Sequence, residues 1–122
     1  MIHTDIKEIL DFTFLKDDAT RSEIVNFCIE ANKIMPHAVC VFPENAELVK
    51  SILDEKIKLA LVSRPFPIGS NSVEEIRENI SGALALGADE IDCVLEPRGS
   101  GDFPGEVDLE KLVEMRNSCG NT

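Results

Sequence analysis

Asp92 interrupts an otherwise apolar run, Ile91-Asp92-Cys93-Val94-Leu95. Burying a carboxylate is costly unless a partner compensates. One reading makes Asp92 a general acid or base whose pKa is set by a nearby cation. The other makes it a structural acid bonded to a backbone amide or a surface lysine. Asp11 has the same standing in Leu10-Asp11-Phe12-Thr13-Phe14-Leu15. Asp11 and Thr13 lie two apart and so share a strand face. Cys40, Ser63, Arg64, Glu96 and Arg98 are further polar residues in or just after apolar runs. Cys40 has no neighbouring His or helix N-terminus to favour a thiolate, so it reads as a small core residue rather than a nucleophile. His3 and His37 lack metal-ligand spacing. Glu74, Glu75 and Glu78 read as a solvated helix face.

The elements that would position these residues alternate along the chain. Leu10 to Leu15 reads as a first strand. Thr20-x-x-Glu23 is a capping box opening a helix with Ile24, Phe27, Cys28 and Ala31 on one face; Pro36 closes it. Ala38-Val39-Cys40-Val41-Phe42, bounded by Pro43, suits a strand buried on both faces. A second helix carries Ala46, Val49, Leu53 and Ile52. Leu59 to Ser63 is the third strand, followed by an irregular loop, Arg64-Pro65-Phe66-Pro67-Ile68-Gly69-Ser70. Ser72-x-x-Glu75 opens a third helix with Ile76, Ile80, Ala83 and Leu84, capped at Gly87. Glu90 to Leu95 is the fourth strand, and a Gly/Pro-rich loop runs from Glu96 to Gly105. A last helix, Asp108 to Ser118, ends at Gly120.

Repeated βα units with right-handed crossovers make a parallel sheet. Either an open doubly wound sheet or a (β/α) barrel fits, and in both the chemistry sits at the C-terminal ends of the strands. No G-x-G-x-x-G follows a strand and no P-loop is present, which lowers a nucleotide-binding reading. A closed barrel typically needs ~250 residues. The four units are therefore half a barrel or a small independent sheet.

The chain has 122 residues, enough for one domain, and is 43% hydrophobic, so it can bury a core. Its net charge of −11 argues against a nucleic-acid partner and repels anions at long range, so a phosphate ester would need local donors. Cys28, Cys40, Cys93 and Cys119 show no C-x-x-C spacing and read as reduced cysteines of a cytoplasmic protein. The N-terminus does not read as a signal peptide, and no apolar stretch is long enough to span a membrane.

Taken together, these segments resemble deoxyribose-phosphate aldolase over nearly the whole chain. Leu10 to Lys16 is similar to the family's first strand, of form Asp-x-Thr-x-Leu, and Asp17-Asp18-Ala19-Thr20 continues it. Ala38-Val39-Cys40-Val41-Phe42-Pro43 resembles the second strand. Phe66-Pro67-Ile68-Gly69 resembles the Phe-Pro-x-Gly loop, and Gly87-Ala88-Asp89-Glu90-Ile91-Asp92 resembles the lead into the fourth strand. Two departures stand out. Pro65 occupies the place of a usual Asn, and Glu96 to Asp102 only partly matches the loop after the fourth strand.

The resemblance implies one partial domain over residues 1–122, the N-terminal half of a TIM (β/α)8 barrel with four strands and four helices. It implies a class I aldolase of deoxyribonucleotide catabolism that needs no metal or cofactor. Such an enzyme reversibly cleaves 2-deoxy-D-ribose 5-phosphate to D-glyceraldehyde 3-phosphate and acetaldehyde through a lysine Schiff base. By resemblance Asp92 is the proton donor and acceptor, and Asp11, Thr13 and Cys40 line the substrate pocket. The family's Schiff-base lysine belongs to the sixth strand and its lysine partner to the seventh. None of Lys7, Lys16, Lys33, Lys50, Lys56, Lys58 or Lys111 matches the catalytic position. The expectation is a piece of an aldolase that is inactive alone. The alternatives are a half-barrel interaction protein that self-associates into a homo-oligomer, and an unrelated small α/β enzyme using Asp11 and Asp92.

Overall fold

The structure, a computed structural model, describes residues 5–69, 72–96 and 105–122. Its elements run β1 (Asp11–Phe14), α1 (Arg21–Ile34), β2 (Ala38–Val41), α2 (Ala46–Ile52), β3 (Lys58–Val62), α3 (Val73–Ala85), β4 (Glu90–Asp92) and α4 (Glu106–Cys119), with short 3-10 turns at Ile6–Ile9 and Pro43–Asn45.

Local chemistry sets the helix ends. The Glu23 amide donates to Thr20 Oγ1 at 3.2 Å and the Thr20 amide donates to Glu23 Oε2 at 2.8 Å, so the expected capping box forms. Met35, in the left-handed region at φ 55°, ends α1 ahead of Pro36. At α3 the Glu75 amide donates to Ser72 Oγ at 3.1 Å, and Gly87 turns the chain at φ 89° after the helix.

The four strands lie in the order β1-β2-β3-β4, and every pairing is parallel. Phe12, Phe14, Val39, Val41, Leu59, Leu61 and Ile91 point to one face, where they meet Ile24, Phe27, Cys28 and Ala31 of α1, Ala46 and Val49 of α2, and Ala83 of α3. Phe12 stacks on Phe27 at 4.8 Å between ring centroids. Ile91 also joins Cys93 and Leu95 against Ile76 and Ile80 of α3 and Met115 of α4. All four helices therefore cover the same face. A doubly wound sheet carries helices on both faces, so the layout is that of a (β/α) barrel opened along its length. The opposite face, the inside of such a barrel, holds Asp11, Thr13, Cys40, Ala60, Val62, Glu90 and Asp92 by strand alternation.

Two expectations need correction. The fourth strand ends at Asp92 instead of continuing to Leu95. β4 is an edge strand, and its last bond to β3 is Ser63 N–H to Asp92 C=O at 2.8 Å. Beyond it, Cys93 and Leu95 leave the ladder to pack on α3 and α4. Leu53 is the C-cap of α2, with an extended backbone, and it packs on the core from there.

Gly69 has φ 81°, and a Cβ there would lie 2.6 Å from the Leu95 carbonyl carbon and 2.7 Å from the Glu96 amide nitrogen. The loop after β3 thus rests directly on the backbone after β4. Gly69→Ala is expected to lower the unfolding free energy by about 2–4 kcal/mol, from backbone strain plus overpacking. In Gly82→Ala, where a Cβ meets open space inside α3, stability should instead rise by about 0.5–1 kcal/mol. Urea titration of both variants checks the contrast.

Candidate active site

The three acids of the segment Asp89-Glu90-Ile91-Asp92 divide the labour. Asp89 Oδ2 accepts the Leu59 amide at 2.9 Å, and the Asp89 amide donates to the Leu59 carbonyl at 2.8 Å, so this acid ties the start of β4 to β3. Glu90 Oε2 sits 2.8 Å from His37 Nε2 on the inner face. Asp92 Oδ2 accepts the Cys40 thiol at 3.2 Å.

The last contact crosses a whole strand. In the ladder Cys40 is level with Ala60, and Ala60 with Glu90. Yet Cys40 reaches Asp92, two residues further along β4. An eight-stranded barrel of shear eight offsets neighbouring strands by one residue, so side chains at one height come from alternate strands two residues apart in register. Cys40 and Asp92 obey that offset, and the methyl side chain of Ala60 leaves room between them.

Asp92 is exposed, which corrects the expectation of a buried carboxylate. It faces the uncovered inner side of the sheet. Its partner among the described residues is a thiol rather than a cation. Cys40 is buried, and burial first, then the hydrogen bond to Asp92, pushes its thiol up to about 12. That agrees with its reading as a core residue rather than a nucleophile.

Asp11 and Thr13 are exposed on the same face. Burial, then Glu90 and Asp92, raises the Asp11 pKa, while His37 opposes the shift. A raised carboxylate favours folding when protonated, so its contribution is present below the unfolded value of 3.8 and is lost as pH rises through the folded pKa. Thr13 Oγ1 donates to the Asp11 carbonyl at 3.1 Å.

Arg64 joins three loops at the C-terminal rim of the sheet. Its guanidinium lies 3.5 Å above the Phe42 ring, with Asp17 at 3.0 Å and Glu44 at 2.5 Å. Asp17 follows β1, Glu44 follows β2 and Arg64 follows β3, so this residue organises the rim. Ser63 is buried and donates its amide to β4. Arg98 lies outside the described residues, as do His3, Ser70 and most of the expected loop from Glu96 to Gly105.

Sequence reasoning missed Lys111. Its side chain is 2% exposed, and its Nζ lies 3.2 Å from Glu96 Oε2. Asp108, also buried, accepts the Gly105 amide at 2.8 Å. Asp108, Lys111 and Met115, spaced by three and four residues, take the covered face that apolar residues would normally hold. Instead α4 turns Leu109, Leu112 and Val113 outward. A hollow of about 580 Å3 lined by Val73, Glu106, Leu109, Glu110, Val113 and Glu114 lies on that outer side, away from the inner carboxylates. Among the described residues no His, Cys, Asp and Glu group could hold a metal ion, and no helix is long and apolar enough to cross a membrane.

The fold and the inner face are those of a (β/α) barrel, with four of its βα units present. By sequence the chain is similar to proteins named deoxyribose-phosphate aldolase. It is 35% identical to deoxyribose-phosphate aldolase of Thermococcus gammatolerans over 126 residues, covering 98% of this chain and 56% of that protein. It is 34% identical to the enzyme of the same name from Ureaplasma urealyticum serovar 10 over 113 residues, covering 92% of this chain and 52% of that one. The chain thus spans about half the length of the curated relatives it matches. A solved Toxoplasma gondii ME49 structure, provisionally named deoxyribose-phosphate aldolase, superposes at a TM-score of 0.78 and 27% identity, over 96% of this chain and 46% of that one. No protein-family model matches the chain.

With its thiol pushed up to about 12, Cys40 should react with iodoacetamide at pH 8 roughly a thousandfold more slowly than an ordinary exposed thiol. Asp92→Asn removes the contact that opposes ionisation and should speed the reaction. Site-resolved mass spectrometry measures both rates.

Proposed function

We propose that this chain supplies one wall of a deoxyribose-phosphate aldolase site, as the N-terminal half of a TIM barrel and a single partial domain. In this reading the wall cleaves 2-deoxy-D-ribose 5-phosphate to D-glyceraldehyde 3-phosphate and acetaldehyde together with an amine from the complementary half. The observation that carries it is the position of Asp92. It stands at the C-terminal end of β4, on the inner face, in contact with Cys40 of β2. Barrel enzymes work at that end, and the relatives that match this segment are named for this reaction.

The chemistry asked of Asp92 is proton transfer. A neutral amine attacks the sugar carbonyl, the carbinolamine loses water to form the Schiff base, and the C–C bond then breaks. Asp92 gives and takes the protons of these steps, while Asp11, Thr13 and Cys40 line the pocket. The nucleophilic amine comes from outside this chain. Lys58 shares the inner face but lies four residues before Val62, the ladder partner of Asp92. That is about 13 Å along the strand, further than a lysine side chain extends. Lys111 is buried in an ion pair. The reaction needs no metal or cofactor, and its ligand is a small phosphorylated sugar rather than nucleic acid or membrane. A cytoplasmic setting suits four free thiols.

A second reading, self-association, is favoured by the open edges of β1 and β4 and by the outward Leu109, Leu112 and Val113. Pairing β4 of one copy with β1 of the next would close an eight-stranded barrel. It would also place Asp11, Glu90 and Asp92 in one lumen twice, and like-charge repulsion opposes that. A complementary half with a cationic inner face fits better.

Borohydride trapping with 2-deoxyribose 5-phosphate, read by mass spectrometry, tests the first reading. The isolated chain should show no adduct. Co-expression with the C-terminal half of a matching relative should give an adduct on that half, and Asp92→Asn in this chain should slow turnover about 100-fold or more. An adduct on any lysine of the isolated chain overturns the assignment. A folded, adduct-free dimer in size-exclusion chromatography would favour self-association.

A further inference from the structure

The buried ion pair between Lys111 and Glu96 takes no part in the chemistry above, yet it sits where β4 most needs support. β4 is three residues long, and β3 is its one neighbour in the sheet. The ladder's hold on Asp92 ends with the bond from Ser63 N–H. Four residues further on, Glu96 Oε2 meets the Lys111 ammonium at 3.2 Å. The ammonium comes from α4, and its side chain is 2% exposed. A buried ammonium persists when it is paired, and removing one partner leaves the other charge uncompensated. The same stretch is pressed from the other side by Gly69, whose Cα would carry a Cβ within 2.9 Å of Leu95 and Glu96 backbone atoms. Between the end of the ladder and these contacts, Cys93 and Leu95 pack on Ile76, Ile80 and Met115. The chain after Asp92 is thus gripped at Leu95 and Glu96 by charge and by close packing together.

We propose that Lys111 is a positioning residue: through Glu96 it anchors the segment that leaves β4 and so holds the Asp92 carboxylate against Cys40. Its functional weight rests on the aldolase reading of Asp92. Its geometric content does not, because the Cys40 thiol reports where Asp92 sits whether or not any sugar is cleaved.

The test is the rate of Cys40 alkylation by iodoacetamide in the full chain, resolved by mass spectrometry as a function of pH. Cys28, on the buried face of α1 and in a different core cluster from Cys40, is the internal control. Lys111→Met and Glu96→Gln should each speed Cys40 alkylation about tenfold and leave Cys28 unchanged. Adding Lys111→Met to Asp92→Asn should give no further acceleration, because the contact being held is already gone. If Lys111→Met fails to fold, Glu96→Gln, which keeps the side-chain volume, decides the matter. An unchanged Cys40 rate in folded variants overturns the proposal. So does a parallel rise at Cys28 and Cys40 in every variant, which would make the pair a support of the whole fold rather than of Asp92. Failure here leaves the borohydride result untouched, so the two readings fall separately.

Discussion

The inner face depends on a side chain that is nearly absent. Ala60 stands on β3 between Cys40 and Glu90, and its single methyl group lets a side chain from β2 reach β4. Strands lie about 4.8 Å apart, so two strands are separated by nearly 10 Å. A larger residue at this place would fill the space through which the Cys40 thiol meets Asp92. The barrel tilt supplies the rest, since it brings residues two apart in register to the same height. Size at one position and tilt across the sheet together decide which polar groups share the site.

The same tilt explains what sequence could and could not convey. The βα alternation, the Thr20 box and the fully buried β2 follow from periodicity and capping, and they appear as read. Whether the helices cover one face or both does not follow from periodicity, because an amphipathic helix is equally content on either. The contacts of Ile91 with both helical clusters decide that question. Asp92 was marked by its type in an apolar run, which suggested burial. Its exposure could not be read from the run, since it depends on a facing wall rather than on neighbours in sequence. Lys111 was missed for the converse reason. Charged residues at helical spacing normally mark the solvated face, and here Asp108 and Lys111 occupy the covered one.

That inversion in α4 fits the geometry of an opened barrel. In a closed barrel each helix has a neighbour on both flanks. Here α4 has α3 on one flank, joined through Arg77 and Glu114 at 2.5 Å, and solvent on the other. Leu109, Leu112 and Val113 lie on the uncovered side. Apolar residues placed there gain little from the half barrel alone, but would be buried against a further helix. Similarly, among the described residues β1 and β4 are the edges of the sheet, where a further parallel strand could pair.

Charge selects among the ways of closing this structure. Burial, with Glu90 and Asp92 adding to it, raises the Asp11 pKa. His37, 2.8 Å from Glu90, opposes part of that shift. A wall bearing ammonium groups would relieve it and would also gain a nearby base for its own amine chemistry. The carboxylates gathered on this face are therefore the feature that would favour a cationic complement. In the aldolase reading Asp92 would then serve twice, first in assembly and afterwards in moving protons.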